Sequence, residues 1–246
     1  MTNLKFSKAM AFGLCSSLVA LMAVPASALT VRITDNTASS FLVADGGALD
    51  ADGIANNEVT FECAACGGVA GWSSVSVDAS ATPAANVGLP GILNVLNLSV
   101  DATSPTVASL VIEATQTGMT FNQIAAFWEQ YHQATGNVSN TTGGGTYSIE
   151  AWYDASNTAF GYGSQIDGTF AGGTGVAAFS ASDSDPAANT TFSMTTRIEI
   201  SHFGSSVTSQ IDSQAHIVAS EIPVPAAGFL LVGALGLIGA ASRRKG

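Results

Sequence analysis

Residues 147–153 (Tyr-Ser-Ile-Glu-Ala-Trp-Tyr) show the side-chain pattern that decides the fold of this chain. Every second residue, beginning with Tyr147, is apolar, and residues 195–200 (Thr-Thr-Arg-Ile-Glu-Ile) alternate in the same way. Residues 29–35 repeat the pattern near the start of the chain. Successive side chains of a β-strand point to opposite faces, so an alternating run indicates a strand with one buried face. These three stretches therefore predict β-strands.

The region between these stretches consists of similar short runs, separated by clusters of glycine, asparagine and aspartate. Such clusters mark turns, and short strands at this spacing are typical of antiparallel sandwiches and barrels. We predict one all-β domain over residues 29–221, an antiparallel β-sandwich of jelly-roll-like type. Further strands are expected within residues 41–44, 59–61, 75–77, 92–100 and 110–114.

Residues 124–133 are ambiguous between helix and strand. Their composition includes good helix formers, and propensity alone favours a helix. Alternation places Ile124, Ala126 and Trp128 on one face, which favours a strand. Because the surroundings are all-β, we favour a strand through Phe127 to Tyr131.

The first 28 residues have the organisation of a secretory signal peptide. Lys5 and Lys8 precede a mostly apolar stretch, and Ala26-Ser27-Ala28 is an A-x-A cleavage site. We predict export by the Sec machinery, removal of residues 1–28 by signal peptidase, and a mature chain that begins at Leu29.

Residues 222–246 combine a proline-containing motif, an apolar span and a basic end, which are Pro223-Val224-Pro225-Ala226, the run from Ala226 to Ala241, and Arg243-Arg244-Lys245. As a helix the span would be about 24 Å long, at roughly 1.5 Å per residue. The hydrocarbon core of a bilayer is about 30 Å thick, so a single transmembrane helix here is short. The basic end is expected on the cytoplasmic side, with the domain outside. A permanent membrane anchor is the alternative to a provisional one.

This tail resembles the PEP-CTERM sorting tail in its VPLPA variant. Residues 147–154, 157–161 and 192–202 also resemble a common ectodomain of proteins with that tail. The resemblance implies transient insertion in the inner membrane, processing by an exosortase, and delivery to the cell surface or extracellular matrix. It further implies an association with exopolysaccharide and biofilm, and it supplies no catalytic residues.

The predicted mature domain is strongly acidic. Residues 29–222 hold all 18 acidic residues but only two basic ones, Arg32 and Arg197, which gives a formal net charge of −16. A surface of this charge repels nucleic acid and anionic membranes, so we expect neither as a partner of the domain. A solvated acidic face without a specific ligand and a surface that attracts divalent cations are the two interpretations.

Cys63 and Cys66 are the two cysteines of the predicted mature chain. Export implies an oxidising compartment, where a local disulfide is expected. A redox-active C-x-x-C pair sits at a helix N-terminus, whereas this pair follows a predicted strand and enters Gly67-Gly68. A zinc site would need further ligands. We predict a structural disulfide.

Asp45, Asp50 and Asp52 are the candidate metal ligands. Their loop follows part of the EF-hand spacing, but Ala48 and Val59 occupy the first and last ligand positions. A calcium site of another kind, built from loop oxygens, is the alternative to a plain acidic turn. No other cofactor is expected.

The sequence contains no recognisable catalytic constellation. A G-x-S-x-G elbow is absent, and serine and aspartate are too abundant to assign a triad around any of the three histidines. The leading prediction is therefore an exported surface or matrix protein without catalytic activity. A carbohydrate-binding module is the second hypothesis, with Trp72, Trp152 and Tyr153 stacking on sugars, and a polysaccharide-acting hydrolase is the third.

Overall fold

The computed structural model describes residues 28–63, 69–82, 93–120, 127–139, 143–185, 191–204 and 206–220. Over these ranges the chain forms twelve β-strands and no helix. The strands are β1 (Leu29–Thr34), β2 (Ser40–Ala44), β3 (Glu58–Cys63), β4 (Ser74–Thr82), β5 (Leu93–Ser104), β6 (Ala108–Thr120), β7 (Phe127–Ser139), β8 (Gly145–Asp154), β9 (Ser164–Gly172), β10 (Gly175–Asp185), β11 (Thr191–His202) and β12 (Val207–Ser220).

The strands form two six-stranded sheets. Sheet I has the order β2-β1-β6-β11-β8-β9, and sheet II has the order β10-β7-β12-β5-β4-β3. All paired neighbours are antiparallel. The predicted all-β architecture of two antiparallel sheets is confirmed.

The last eight strands give the sandwich its topology. In sheet II they have the order β5-β12-β7-β10, and in sheet I the order β6-β11-β8-β9. These paired orders are those of an eight-stranded jelly roll. The hairpin of β1 and β2 widens sheet I, and β3 and β4 widen sheet II.

The hydrophobic core fills the space between the sheets. In β8 the inward residues Tyr147, Ile149 and Ala151 are buried, whereas Glu150 and Trp152 on the other face are only half-buried. The same alternation in β1 and β4 directs valine, leucine and isoleucine inward. The period-2 pattern that predicted the strands is thus the pattern that forms the core.

The ambiguous stretch is a strand. β7 begins at Phe127 and lies between β10 and β12, pairing with both along its length. Hydrogen bonding to a strand on each side outweighs the local helical propensity, because that propensity is worth only about 0.5 kcal/mol per residue. The strand that we favoured because of the all-β surroundings is confirmed from Phe127 onward.

The targeting segments lie outside the described residues. They are the signal peptide with its cleavage site, and the sorting tail with its basic end. Cys66 also lies outside the described residues, so the predicted disulfide between Cys63 and Cys66 stays a prediction. Within the ranges that are described, no helix is long and apolar enough to cross a membrane.

Candidate functional site: a polar groove on sheet II

The outer face of sheet II carries an open groove with a volume of about 910 Å³. Hydroxyl, amide and carboxylate side chains line most of it. They belong to Glu58, Thr60, Asp78, Ser80, Asn97, Ser99, Gln133, Thr135, Ser180, Asp212 and Gln214. Such groups donate and accept hydrogen bonds in several directions, so the groove suits a ligand rich in hydroxyl groups.

Strand register assembles this lining from six strands. One row across the sheet runs through Glu58, Ser80, Asn97, Gln214, Gln133 and Ser180. A parallel row two residues along the strands runs through Thr60, Asp78, Ser99, Asp212, Thr135 and Ala178. Six strands spaced about 4.8 Å apart give each row a length of about 24 Å. The groove therefore matches an extended ligand better than a single small molecule.

Hydrogen bonds along the rows hold several of these side chains in place. The Gln214 amide Nε2 donates to Asn97 Oδ1 at 2.9 Å, and Asn97 Nδ2 donates to Ser80 Oγ at 3.1 Å. In the next row, Ser99 Oγ donates to Asp212 Oδ1 at 2.6 Å. Side chains that are already oriented lose less conformational entropy when a ligand binds.

The charge of the groove is entirely negative. Glu58, Asp78 and Asp212 line it, whereas Arg32 and Arg197, the two basic residues of the described chain, belong to β1 and β11 of sheet I. An acidic groove without a cationic side chain repels polyanions. It therefore favours ligands that carry no negative charge.

An aromatic pair lies on the same face, next to the first row. Tyr131 stacks on His216 with ring centroids 4.8 Å apart and an interplanar angle of 24°, and each is two residues from a member of the row, Gln133 or Gln214. Burial lowers the pKa of His216, so the imidazole is neutral at pH 7. The Tyr131 hydroxyl donates a hydrogen bond to Glu129, which fixes the ring.

Two of the three aromatics predicted to stack on sugars are in the core. Trp72 is 4% exposed and donates from Nε1 to the Ser109 carbonyl at 3.1 Å. Tyr153 is 9% exposed and packs on Phe192. Both therefore lack a free ring face, and the stacking prediction is wrong for them. Trp152 is half-buried on the outer face of sheet I, on the opposite side of the sandwich from the groove.

The acidic loop uses its carboxylates differently from the calcium site predicted for Asp45, Asp50 and Asp52. Each of the three carboxylates accepts two hydrogen bonds from nitrogen donors at 2.9–3.0 Å. The donors to Asp45 are the backbone amides of Asn56 and Asn57, and those to Asp50 are the backbone amides of Gly46 and Thr60. Asp52 accepts from the backbone amide of Ile54 and from the side-chain amide of Asn56. No group of three or more histidine, cysteine, aspartate or glutamate side chains in the described ranges is arranged to hold a metal ion. The carboxylates thus stabilise the loop by satisfying its amides.

Salt should therefore stabilise the protein through screening alone. We expect the melting temperature to rise between low salt and marine salt. The folded domain has a net charge of −16, so its like charges repel one another, and salt screens this repulsion. Calcium and magnesium at equal ionic strength should raise it equally. Thermal scans in sodium, magnesium and calcium chloride check this, and a saturable shift produced by calcium alone would contradict it.

The buried histidines form no catalytic triad within the described residues. His202 lies between Ser104 Oγ at 2.7 Å and Ser209 Oγ at 2.6 Å, and His132 Nε2 lies 3.0 Å from Ser213 Oγ. No carboxylate among the described side chains bonds to either ring, so neither histidine has the acid that orients a triad base. Both rings are fully buried and cannot reach a polymer in the groove.

Sheet I carries a network of ion pairs on its outer face. Strand register aligns Arg32, Glu113, Arg197 and Glu150 in one row. Arg32 Nε bonds to Glu113 at 2.5 Å, and Arg197 bonds to Glu150 at 3.3 Å and to Glu199 at 2.8 Å. Opposite charges on neighbouring strands stabilise a sheet. Both arginines are engaged in this network, which gives them a structural role.

No family model matches the chain, and no curated protein matches it. Among solved structures, the enzymatically active domain of tailspike protein 4 of bacteriophage CBA120 is similar over 58% of this chain and 19% of that chain, with 13% identity and a TM-score of 0.24. A likeness of that extent assigns neither a shared fold nor a shared activity.

Proposed function

We propose that this protein is an exported surface or matrix protein without catalytic activity, and that it binds a polysaccharide in the groove of sheet II. The observation that carries the proposal is an open groove of about 910 Å³ in which hydroxyl, amide and carboxylate side chains outnumber the apolar ones. It corresponds to the second hypothesis from the sequence, carbohydrate binding, on a different surface and with different residues.

The chemistry of the lining favours sugar polymers over other ligands. Sugar hydroxyls both donate and accept hydrogen bonds, and amides such as Gln133, Gln214 and Asn97 do the same from a planar group. Tyr131 adds an aromatic ring beside the rows, and aromatic rings supply large apolar contact area. The carboxylates of the groove exclude polyanionic polymers, so an uncharged or cationic polysaccharide is the proposed ligand class.

Loss of the central amides should weaken binding. We expect the double variant Gln133→Ala/Gln214→Ala to bind its polysaccharide about fivefold to a hundredfold more weakly, because each of the two lost hydrogen bonds contributes about 0.5–1.5 kcal/mol. The measurement is calorimetric titration with soluble uncharged glucans, mannans and galactans, and with polyanionic polymers for comparison.

The matched control is Thr146→Ala/Ser148→Ala, which removes two polar side chains from the outer face of sheet I, away from the groove. Its affinity should equal that of the unaltered protein. Binding to polyanions alone, or equal losses in both double variants, would overturn the groove as the site. Release of reducing ends from a bound polymer would replace the non-catalytic proposal with the hydrolase hypothesis.

The proposed route to the surface makes its own prediction. The proline motif, short apolar span and basic end of residues 222–246 support cleavage by an exosortase after export by Sec and signal peptidase. We expect the mature protein to begin at Leu29 and to have lost its end beyond Pro223 to Ala227. Mass spectrometry of surface-extracted protein checks both termini, and a mature form that keeps Arg243-Arg244-Lys245 would contradict the proposal.

A further inference from the structure

The four edges of the two sheets differ in how well they are protected against pairing with another strand. β2 has only five residues, and β3 has six, two of which are Glu58 and Glu62. The pairing of β9 is interrupted by a register shift opposite residues Ile149 to Ala151. Short strands, charges and bulges are the devices by which natural sheets prevent pairing at their edges.

β10 has none of these devices over most of its length. It is 11 residues long, and it pairs with β7 without a register shift. It contains no proline and no lysine, and its outward residues from Val176 to Ser182 are small. Val176 is 80% exposed. Among the described strands, none pairs with the other side of β10.

We propose that β10 is a self-association surface, at which it pairs antiparallel with β10 of a second copy of this chain. An antiparallel pair of identical strands is related by a two-fold axis, so each copy offers the same surface to the other. Pairing along the whole strand is centred on its middle residue, Ser180. The two sheets II then join into one continuous sheet across the axis.

The charge pattern of β10 selects the antiparallel orientation. Its acidic residues, Asp183 and Asp185, lie at one end. Pairing centred on Ser180 sets these positions opposite Ala177 and Gly175 of the partner strand, where there is no charge. A parallel pair would set aspartate beside aspartate, and like charges directly opposite are destabilising.

The arrangement would bring two grooves together. Ala178 and Ser180 of β10 line the groove, so the groove of each copy reaches the shared axis. Self-association does not depend on the proposed polysaccharide binding. If both hold, one polymer chain can contact two grooves at once, and the effective affinity rises by avidity.

Light scattering during size-exclusion chromatography of protein purified from cells expressing the full chain tests the proposal. We expect twice the mass of one chain. Ser180→Asp and Ser180→Lys should each give the mass of one chain, because equal charges then face each other across the axis. Mixing the two variants should restore the doubled mass, since aspartate then faces lysine.

A cysteine pair provides a second measurement. Ser180→Cys should form an intermolecular disulfide under oxidising conditions, whereas Leu42→Cys, at the middle of the exposed edge strand β2 and 56% exposed, should not. Circular dichroism establishes that each variant is folded. A single-chain mass for the unaltered protein, a doubled mass for folded Ser180→Asp, or equal cross-linking through Leu42→Cys would overturn the proposal.

Discussion

Acidification from pH 7 to pH 4.5 should lower the free energy of unfolding by several kcal/mol, because two buried histidines resist protonation. Burial lowers the pKa of both His132 and His202 from the ordinary 6.5 to about 4. Above pH 6.5 each ring is neutral in the folded and the unfolded chain, so neither affects stability. Below pH 6.5 the unfolded chain takes up protons that the folded chain does not, so stability falls until the folded pKa is reached.

The expected loss of unfolding free energy follows from the difference between the folded and the unfolded pKa of each histidine. A fall from 6.5 to about 4 corresponds to about 3 kcal/mol for each ring as an upper limit. Urea denaturation at a series of pH values measures it. The His132→Gln and His202→Gln variants should each be less stable than the unaltered protein at pH 7. In each variant the free energy of unfolding should depend less on pH between pH 6.5 and 4.5.

His216 is the internal control for this effect. It is only half-buried, on the outer face of sheet II, and His216→Gln should flatten the curve less than either core variant. A pH dependence that is unchanged in both core variants would show that other groups cause the acid sensitivity.

Replacing Gly136 with alanine should cost about 2–3 kcal/mol of stability, because the new methyl group has no space. An added Cβ would lie 2.2 Å from Cζ of the Tyr147 ring. Tyr147 is 2% exposed, and its hydroxyl donates to the Gly136 carbonyl at 3.3 Å. The ring cannot move away, since Gly172 lies against its other side, where a Cβ would be 2.3 Å from Cζ.

The control is Gly173→Ala, where the nearest atom to an added Cβ is the Gly145 carbonyl oxygen at an ordinary 3.6 Å. The free energy of unfolding of that variant should lie within about 1 kcal/mol of that of the unaltered protein. In the double variant Gly136→Ala/Tyr147→Leu, the cost should be less than the sum of the two single costs, because the smaller side chain makes room. Equal stability of Gly136→Ala and Gly173→Ala would disprove the steric argument.

The sequence predicted the strands whose inward residues are aliphatic. β1, β8 and β11 correspond to the alternating stretches at residues 29–35, 147–153 and 195–200. β12 was not predicted, since its inward positions include Ser209 and Ser213, which look solvent-exposed in the sequence. In the structure these serines are buried as hydrogen-bond partners of histidines.

The candidate site could not be predicted, because its residues are unremarkable one by one. Asn97, Gln133 and Gln214 come from β5, β7 and β12, and only strand register places them in one row. Aromatic residues were the sequence feature that indicated sugar binding, and for Trp72 that prediction was wrong because the residue is buried. That residue lies in the turn before β4, where the chain turns inward and the indole meets His202 at 4.7 Å.

The jelly-roll strand order also governs how fast the chain can fold. Leu93 at the start of β5 pairs with Val218 near the end of β12, and Leu29 pairs with Gln116. Long chain segments must close into loops before such contacts form, and all-β domains of this kind fold in milliseconds to seconds rather than microseconds. Slow folding leaves a freshly made chain unfolded for longer, and the export that we propose would require an unfolded chain to pass through a narrow translocation channel.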